Sequence, residues 1–385
     1  MQSSSTPANA GPHLHRGLWL LIIATAGVPI SLLWDFSWES TVGIDRFWSP
    51  PHGLTYVVMA LAALGAVALM SRTKPAAAVE DGSVRLGRWG APLGAWLVLW
   101  SALAFATAVL FDRWWQSAYG LGAGIWHPPQ MLKAIAFFAV LLGVWLFALA
   151  APQGCAGDAN AAAMQSCVAG GLTLALIHIV TLQLSYPNYQ HSASFYKTTC
   201  ATYPLVLVAL AKSGRWRWSA TAGATVYAAV FGGMVWLLPL FPAQPQVGPI
   251  YHQLDHLMPP PFPLLLIVPA LAVDLLVKKL HWPERRVVGW LQAIALGLAF
   301  FLCFLLAQWM FAEFLLKPAA DNWFFAGGGK HWPFFLKISP PARVMFWDAP
   351  PDQLDGRNAL VVLGLSMLAA RLGLWLGAWM GRVKR

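Results

Sequence analysis

Histidine and aspartate side chains recur in the polar loops of this sequence, at positions from which they could hold a metal ion. Imidazole and carboxylate groups, with the thioether of Met258 nearby, suit copper, zinc or iron. The candidate ligands are His52, His127, His191, His252, His256, Asp35, Asp112 and Asp255. Their predicted side of the membrane carries no thiol in its loops, which argues against an iron–sulfur site. We therefore expect a transition metal, with copper favoured over zinc and iron.

The densest group of these donors lies in residues 242–263, PAQPQVGPIYHQLDHLMPPPFP. If the centre of this segment is helical, His252 and His256 share a face, and Asp255 lies about one turn from His252. This spacing would let two imidazoles meet one ion. The proline-rich flanks make any such helix short. Since no single loop offers three or four donors, the remaining ligands must come from other loops.

The polar loop at residues 35–52 recurs in altered form at residues 112–130. The first reads DFSWESTVGIDRFWSPPH and the second DRWWQSAYGLGAGIWHPPQ. Both contain Asp-x-x-Trp-[Glu/Gln]-Ser-x-x-Gly, and Trp-x-Pro-Pro follows after one inserted residue in the second copy. We interpret the pattern as a duplication of an apolar helix, a polar loop and a second apolar helix, with repeat units 17–71 and 92–150. The duplication places one histidine of each loop at the start of a helix.

The elements that must position these loops are membrane-spanning helices. The chain has 385 residues, of which 58% are hydrophobic and 10% charged, whereas soluble domains carry about 25% charged residues. Helices of roughly 17–25 apolar residues cross a bilayer, and runs this continuous exclude a barrel. The predicted spans are 17–34, 52–71, 92–111, 129–150, 163–185, 195–211, 218–240, 262–279, 287–312 and 358–380. The predicted fold is an all-α, polytopic integral membrane helical bundle of about ten transmembrane helices.

Lysine and arginine residues concentrate in alternate loops, which predicts the orientation of the bundle. Because short basic loops stay in the cytoplasm, both termini are expected there, in a plasma membrane of the bacterial inner-membrane kind. The bases are dispersed over separate loops, so nucleic-acid binding is not expected. The predicted partners are the lipid bilayer and, if the protein belongs to a membrane complex, the other subunits of that complex.

Four regions follow from this topology. Residues 1–16 are predicted as a cytoplasmic tail, with His13 and His15 solvated, and residues 17–312 as the membrane bundle. Residues 313–357 form an outer-face loop or cap, because a connection this long is usually a functional cover. Residues 358–385 comprise the last transmembrane helix and a basic cytoplasmic tail.

Polar groups inside the spans are expected to find partners within the bundle. Asp274 and Arg371 lie at similar predicted depths, and we expect them to form a structural ion pair. His178, Thr181 and Ser185 follow at helical spacing, which predicts a polar stripe facing the bundle. For His178 an interhelical hydrogen bond is the favoured role.

Three hypotheses for the function remain open. The first is a membrane metalloprotein with an outer-face His/Asp site, a copper-type oxidoreductase or a subunit of one. The second is a transporter or permease, since repeated units are common in transporters. The third is a non-catalytic scaffold or assembly subunit of a membrane complex. Metal content separates the first hypothesis from the others, and uptake into liposomes separates the second from the third.

Overall fold

The structure is a computed structural model that describes residues 10–44, 46–72, 83–86, 89–120, 126–151, 156–184, 190–279, 286–326, 333–337 and 352–383. Ten α-helices occur in these ranges, as the sequence predicts. They are α1 Ala10–Thr41, α2 Pro50–Arg72, α3 Leu93–Tyr119, α4 Pro128–Ala150, α5 Ala156–Leu184, α6 Ala193–Ser213, α7 Ser219–Leu237, α8 Ile267–Lys279, α9 Arg286–Leu315 and α10 Gly356–Val383. A short antiparallel ribbon, β1 Ser83–Leu86 and β2 Trp89–Pro92, precedes α3.

Eight helices of the described chain are long and apolar enough to cross a membrane, so the protein is an integral membrane protein with an all-α bundle. The other two are α6 and α8. Helix α8 has 13 residues, which at about 1.5 Å per residue is shorter than a hydrocarbon core of about 30 Å. The span predicted at 262–279 is therefore helical only from Ile267, because the prolines before it keep the chain extended.

The two repeat units fold into matching helical hairpins. Helices α1 and α3 both end just before an aligned glycine with positive φ, at 78° for Gly43 and 88° for Gly120. This backbone conformation favours glycine, which explains why the residue recurs at the turn. Helices α2 and α4 begin at the aligned first proline of Trp-x-Pro-Pro, where the missing N–H disrupts no helical hydrogen bond. The residue inserted in the second copy falls at 121–125, outside the described residues.

The helices of each hairpin also pack in the same register. Aligned glycines of the two hairpins approach aligned residues of the neighbouring helix so closely that an added Cβ would lie within 3.2 Å of them. These contacts are Gly17–Leu69 and Gly65–Leu21 in the first hairpin, and Gly94–Phe147 and Gly143–Val98 in the second. The predicted duplication is therefore present in the packing as well as in the loops.

Small residues also bring helices together in the second half of the bundle. Helix α10 packs along α6, with Gly373 facing the carbonyl of Leu205 and Gly377 facing that of Ala209. Such small-xxx-small spacing lets helix backbones approach closely in lipid. Helices α4 and α1 both contact α5, which joins the hairpins to the remaining helices.

The first helix begins at Ala10 rather than at residue 17, so part of the predicted tail is helical. His15 was predicted to be solvated, and this is wrong. Its side chain is 5% exposed, and its Nδ1 lies 3.0 Å from Oε1 of Gln165 in α5. The amide Nε2 of Gln165 donates to the carbonyl of His15. A polar partner on α5 therefore allows this part of α1 to be buried.

Asp274 and Arg371 each have a different partner from the one predicted. The carboxylate of Asp274 accepts hydrogen bonds from the backbone N–H groups of Ala220 and Thr221 and from the Thr221 hydroxyl. It thus satisfies donors at the N-terminus of α7, which helical hydrogen bonds leave unpaired. The guanidinium of Arg371 lies over the Trp290 ring, 5.5 Å from its centroid. Helix-end donors and an aromatic face replace the predicted ion pair.

Candidate functional site

A layer of loop segments covers one end of the bundle, which we call the predicted outer end. It comprises the end of α1, the segment 241–266 and residues 333–337. Val42 accepts a hydrogen bond from Gln246 N at 3.0 Å, and Thr41 Oγ1 accepts one from Met258 N at 2.8 Å. Backbone hydrogen bonds therefore fix these segments against one another.

The segment that holds His252 and His256 is not helical, so the conditional prediction that they share a helical face is wrong. Its backbone folds back on itself, with Leu257 N donating to Phe241 O and Ala243 N donating to Asp255 O. Prolines supply no N–H for a helical ladder, and the remaining donors bond across the segment and to neighbouring loops. The helical spacing that would bring the two histidines to one ion is therefore absent.

Asp255 forms its contact with the adjacent histidine. Oδ1 of Asp255 lies 2.6 Å from Nδ1 of His256. The hydrogen bond from His256, followed by the charge of that ring, lowers the pKa of Asp255. His252 is held through its backbone N–H, which donates to Phe334 O. Asp255 and His256 thus contact each other, whereas the contact of His252 with Phe334 involves only the backbone.

In the first repeat unit, Asp35 of α1 pairs with His52 of α2. Nε2 of His52 lies 3.3 Å from Oδ1 of Asp35, and Nδ1 lies 3.0 Å from the Arg46 carbonyl. Both ring nitrogens of His52 are thus in contact with oxygen atoms. In this arrangement His52 joins two helices rather than ligating a metal.

The second repeat unit contains a corresponding pair between α3 and α4. Nζ of Lys133 lies 2.6 Å from Oδ2 of Asp112, and Gln116 donates to the same oxygen at 3.2 Å. Asp112 is 8% exposed, and a carboxylate at such a depth requires a cation and hydrogen bonds. Each hairpin is thus joined near its loop by an acid–base pair, and in the second hairpin the base is a lysine.

The last two predicted ligands lie against tryptophans. The His127 ring lies 5.9 Å from that of Trp115, and the His191 ring lies 4.4 Å from that of Trp309. His191 is buried, whereas His127 stands at the N-terminus of α4. Among the residues that the structure describes, no three His, Cys, Asp or Glu side chains form a group that could hold a metal ion. The metal site therefore stays a prediction.

The prediction for His178 is confirmed. Its Nδ1 lies 2.6 Å from the Tyr203 hydroxyl of α6, which also contacts Thr181 at 2.8 Å. A cavity of about 10 Å³ beside them has room for about one water molecule. Ser185 lies outside the described residues. This cluster satisfies polar groups between α5 and α6.

A further candidate site is an open cleft of about 970 Å³ at the predicted outer end, between the two repeat units. The loop after α1 forms one wall, and the last turns of α3 form the other. Its lining combines two arginines, two glutamines and three large aromatic rings. The lining residues are Trp38, Ile44, Arg46, Phe47, Trp48, Ser49, Pro50, Leu110, Arg113, Gln116 and Gln246.

Side-chain hydrogen bonds to the backbone fix the wall formed by the loop after α1. Trp38 Nε1 donates to the Ile44 carbonyl at 2.9 Å. Ser49 Oγ accepts from Arg46 N and donates to Arg46 O, both at 2.8 Å. The Tyr56 hydroxyl donates to the Phe47 carbonyl at 3.0 Å. These bonds preorganise the loop, so Arg46 and its aromatic neighbours need no large rearrangement to meet a ligand.

The cleft carries two arginines that pair with no acid among the residues that the structure describes. Asp35 is paired with His52, and Asp112 with Lys133. Neither Arg46 nor Arg113 forms an ion pair with a residue that the structure describes. Both side chains are exposed to the cleft, and the Arg113 guanidinium lies 6.0 Å from the Phe47 ring. Guanidinium groups bind carboxylate and phosphate through paired hydrogen bonds, so this arrangement suits an anion.

The spacing of imidazole and carboxylate groups in the sequence gives no indication of this cleft, whose charged groups are guanidinium groups. A signal was nevertheless present. Arg46 and Arg113 are the only basic residues other than histidine in the two repeated loops at 35–52 and 112–130. Basic residues concentrate in cytoplasmic loops, and these two loops are predicted to lie on the opposite side. An arginine in each of them therefore indicates a role other than setting the orientation of the protein.

Comparison with known proteins adds no functional assignment. No protein-family model matches the chain, and no curated protein or solved structure matches it either.

Proposed function

We propose that this integral membrane protein binds an anionic ligand in the cleft between its two repeat units. The observation that carries the proposal is that Arg46 and Arg113 line one preformed cleft without an ion-pair partner among the described residues. Gln116 and Gln246 add amide donors, which can hydrogen-bond the anion. The volume of about 970 Å³ lies at the upper end of the range typical of small-molecule sites.

The test measures binding of a water-soluble anionic probe, dihexanoyl phosphatidate, to purified protein in a neutral detergent. An exposed ionic contact contributes up to about 1 kcal/mol, so Arg46→Gln or Arg113→Gln should each weaken binding by about fivefold. Arg357→Gln is the matched control, because Arg357 is exposed at the start of α10 and does not line the cleft.

The proposal fails if the wild type does not bind the probe. It also fails if Arg357→Gln weakens binding as much as the two cleft variants do. Monodisperse elution of each variant from a sizing column establishes that weaker binding does not come from misfolding.

Capture of an anion at a cleft open to one side is a first step that a permease would need. If the protein also transports the bound ligand, it is the transporter or permease that the second hypothesis from the sequence describes. Uptake of the probe into liposomes tests it, and binding without uptake would instead support a receptor or scaffold. The copper oxidoreductase remains a separate proposal, supported by the donors in the loops and not by a gathered site.

A further inference from the structure

The cleft continues into an apolar groove between α2 and α3. This groove has a volume of about 430 Å³ and is lined almost entirely by apolar side chains. The lining residues are Tyr56, Met59, Ala60, Ala63, Leu99, Ala102, Leu103, Phe105, Ala106, Val109 and Leu110. Four of the lining residues are alanines, whose small side chains leave a depression between the two helices.

Two residues show that the cleft and the groove are contiguous. Leu110 lines both of them. Tyr56 lies in the groove, and its hydroxyl donates to the Phe47 carbonyl in the wall of the cleft. The Tyr56 ring also lies 5.4 Å from that of Phe47 and 5.8 Å from that of Trp48. The cleft and the groove therefore adjoin at Leu110 and Tyr56.

The polarity of the two parts corresponds to the layers of a bilayer. The cleft lies at the loop ends of the helices, where Trp48 is 76% exposed, and tryptophan is enriched at the level of lipid headgroups. The groove runs along two helices that can span a membrane, and Leu103 beside it is 62% exposed. An occupant of both parts must be anionic at one end and apolar along the other.

We propose that the ligand of the cleft is a phosphate-bearing membrane lipid. Its headgroup binds Arg46 and Arg113, and one hydrocarbon chain lies in the groove between α2 and α3. This inference rests on the proposed function, and it names the ligand class of the same site. A transmembrane helix of another protein could fill the groove, but it would not by itself neutralise the two guanidinium groups above it. Charge complementarity and the continuity of the two parts favour the lipid.

The test compares long-chain dioleoyl phosphatidate with dihexanoyl phosphatidate, using native mass spectrometry of the full-length protein. Dioleoyl phosphatidylcholine and inorganic phosphate are the reference ligands for the headgroup. Dioleoyl phosphatidate should bind at least about tenfold more tightly than the short-chain form, because only the longer chain fills the groove. Phosphatidylcholine and inorganic phosphate should each bind far more weakly.

Variants separate the chain from the headgroup. Ala106→Phe should fill the groove and weaken dioleoyl phosphatidate binding about tenfold, with dihexanoyl phosphatidate unaffected. Ala60→Phe fills the groove from the opposite wall and provides a second test if one variant misfolds. Ala229→Phe is the control, because Ala229 is an exposed residue of α7 away from the groove.

Each outcome bears on one part of the proposal. Equal binding of both chain lengths, unchanged by either groove variant, would overturn the chain site and leave anion binding intact. Equal binding of phosphatidylcholine and phosphatidate would overturn the anionic headgroup. If inorganic phosphate binds as tightly as either lipid, the ligand is a free anion. If Arg46→Gln and Arg113→Gln weaken binding and the groove variants do not, the result supports anion binding in the cleft and contradicts a hydrocarbon chain in the groove.

Discussion

Replacing Gly94 by alanine should destabilise the protein through the contact between α3 and α4. A Cβ at Gly94 would lie 2.4 Å from the Gly143 carbonyl oxygen and 2.6 Å from Phe147 N. Both obstacles are backbone atoms, so no side-chain rotation can relieve the overlap. Because ordinary contacts of a Cβ begin at 3.4 Å, the helices must separate locally by about 1 Å.

The expected magnitude combines two opposing effects. Overpacking typically costs about 1–3 kcal/mol, and a gap of about 1 Å elsewhere in the interface removes part of its dispersion energy. Alanine is a better helix former than glycine by up to about 1 kcal/mol. The net loss for Gly94→Ala should therefore be about 1–2 kcal/mol.

The duplication supplies a matched comparison for this prediction. At the aligned Gly17, an added Cβ would meet only the end of the Leu69 side chain, at 2.7 Å. That side chain can rotate, so Gly17→Ala should be close to neutral. Gly233 has open space around its Cα, and Gly233→Ala should be neutral or stabilising.

The assay is denaturant titration in mixed micelles, followed by tryptophan fluorescence. The expected order of stability is Gly94→Ala below Gly17→Ala, with Gly233→Ala highest. Equal stability of Gly94→Ala and Gly17→Ala would show that contact with backbone atoms costs no more than contact with a side chain, which would refute this reasoning. A stabilising effect of Gly94→Ala would refute the close packing of α3 and α4.

Three further predictions concern the bundle and the metal hypothesis. Asp274→Ala leaves buried donors at the start of α7 unpaired, so the free energy of unfolding in detergent should fall by about 3 kcal/mol. Asp321→Ala, at an exposed position, should leave it unchanged. Equal effects of the two substitutions would contradict the capping role of Asp274. In a cysteine-free background, an impermeant thiol reagent should label Gly248→Cys from outside intact cells and should not label Ser71→Cys; the reverse pattern would invert the topology. The copper hypothesis predicts stoichiometric metal in gently purified protein and its loss in His256→Ala, measured by elemental analysis; metal-free wild type would end that hypothesis.

The helical bundle could be predicted from the sequence because lipid leaves few alternatives. Continuous apolar runs in a bilayer must satisfy their backbone internally, which makes them helices. Helices α1 and α3 continue beyond their predicted ends at 34 and 111, to Thr41 and Tyr119, because hydropathy alone does not show that a helix extends through polar residues. Helix α8 was predicted too long, because hydropathy alone does not register that proline removes donors from the chain before Ile267.

The partners of the polar residues could not be predicted from spacing alone. His252 and His256 are four residues apart, but their helical face depended on a helix that the surrounding prolines prevent. His15 seemed to belong to a solvated tail because its partner, Gln165, is distant in the sequence. Likewise, the sequence contains no sign that donors at the start of α7 bind Asp274.

The cleft itself depends on long-range packing, which explains why sequence reasoning missed it. Arg46 and Arg113 come from different repeat units, and the loop hydrogen bonds of Trp38, Ser49 and Tyr56 determine where Arg46 lies. The packing of the two repeat units brings both arginines to the same cleft.

The most direct test of the central claim is the affinity of the cleft for dihexanoyl phosphatidate in wild type and in the double variant Arg46→Gln/Arg113→Gln. Removing about 1 kcal/mol for each guanidinium predicts a rise of about thirtyfold in the dissociation constant measured by calorimetry. The Arg357→Gln control should retain the wild-type value. A double variant that binds the probe as tightly as the wild type would contradict the claim that this cleft is the binding site.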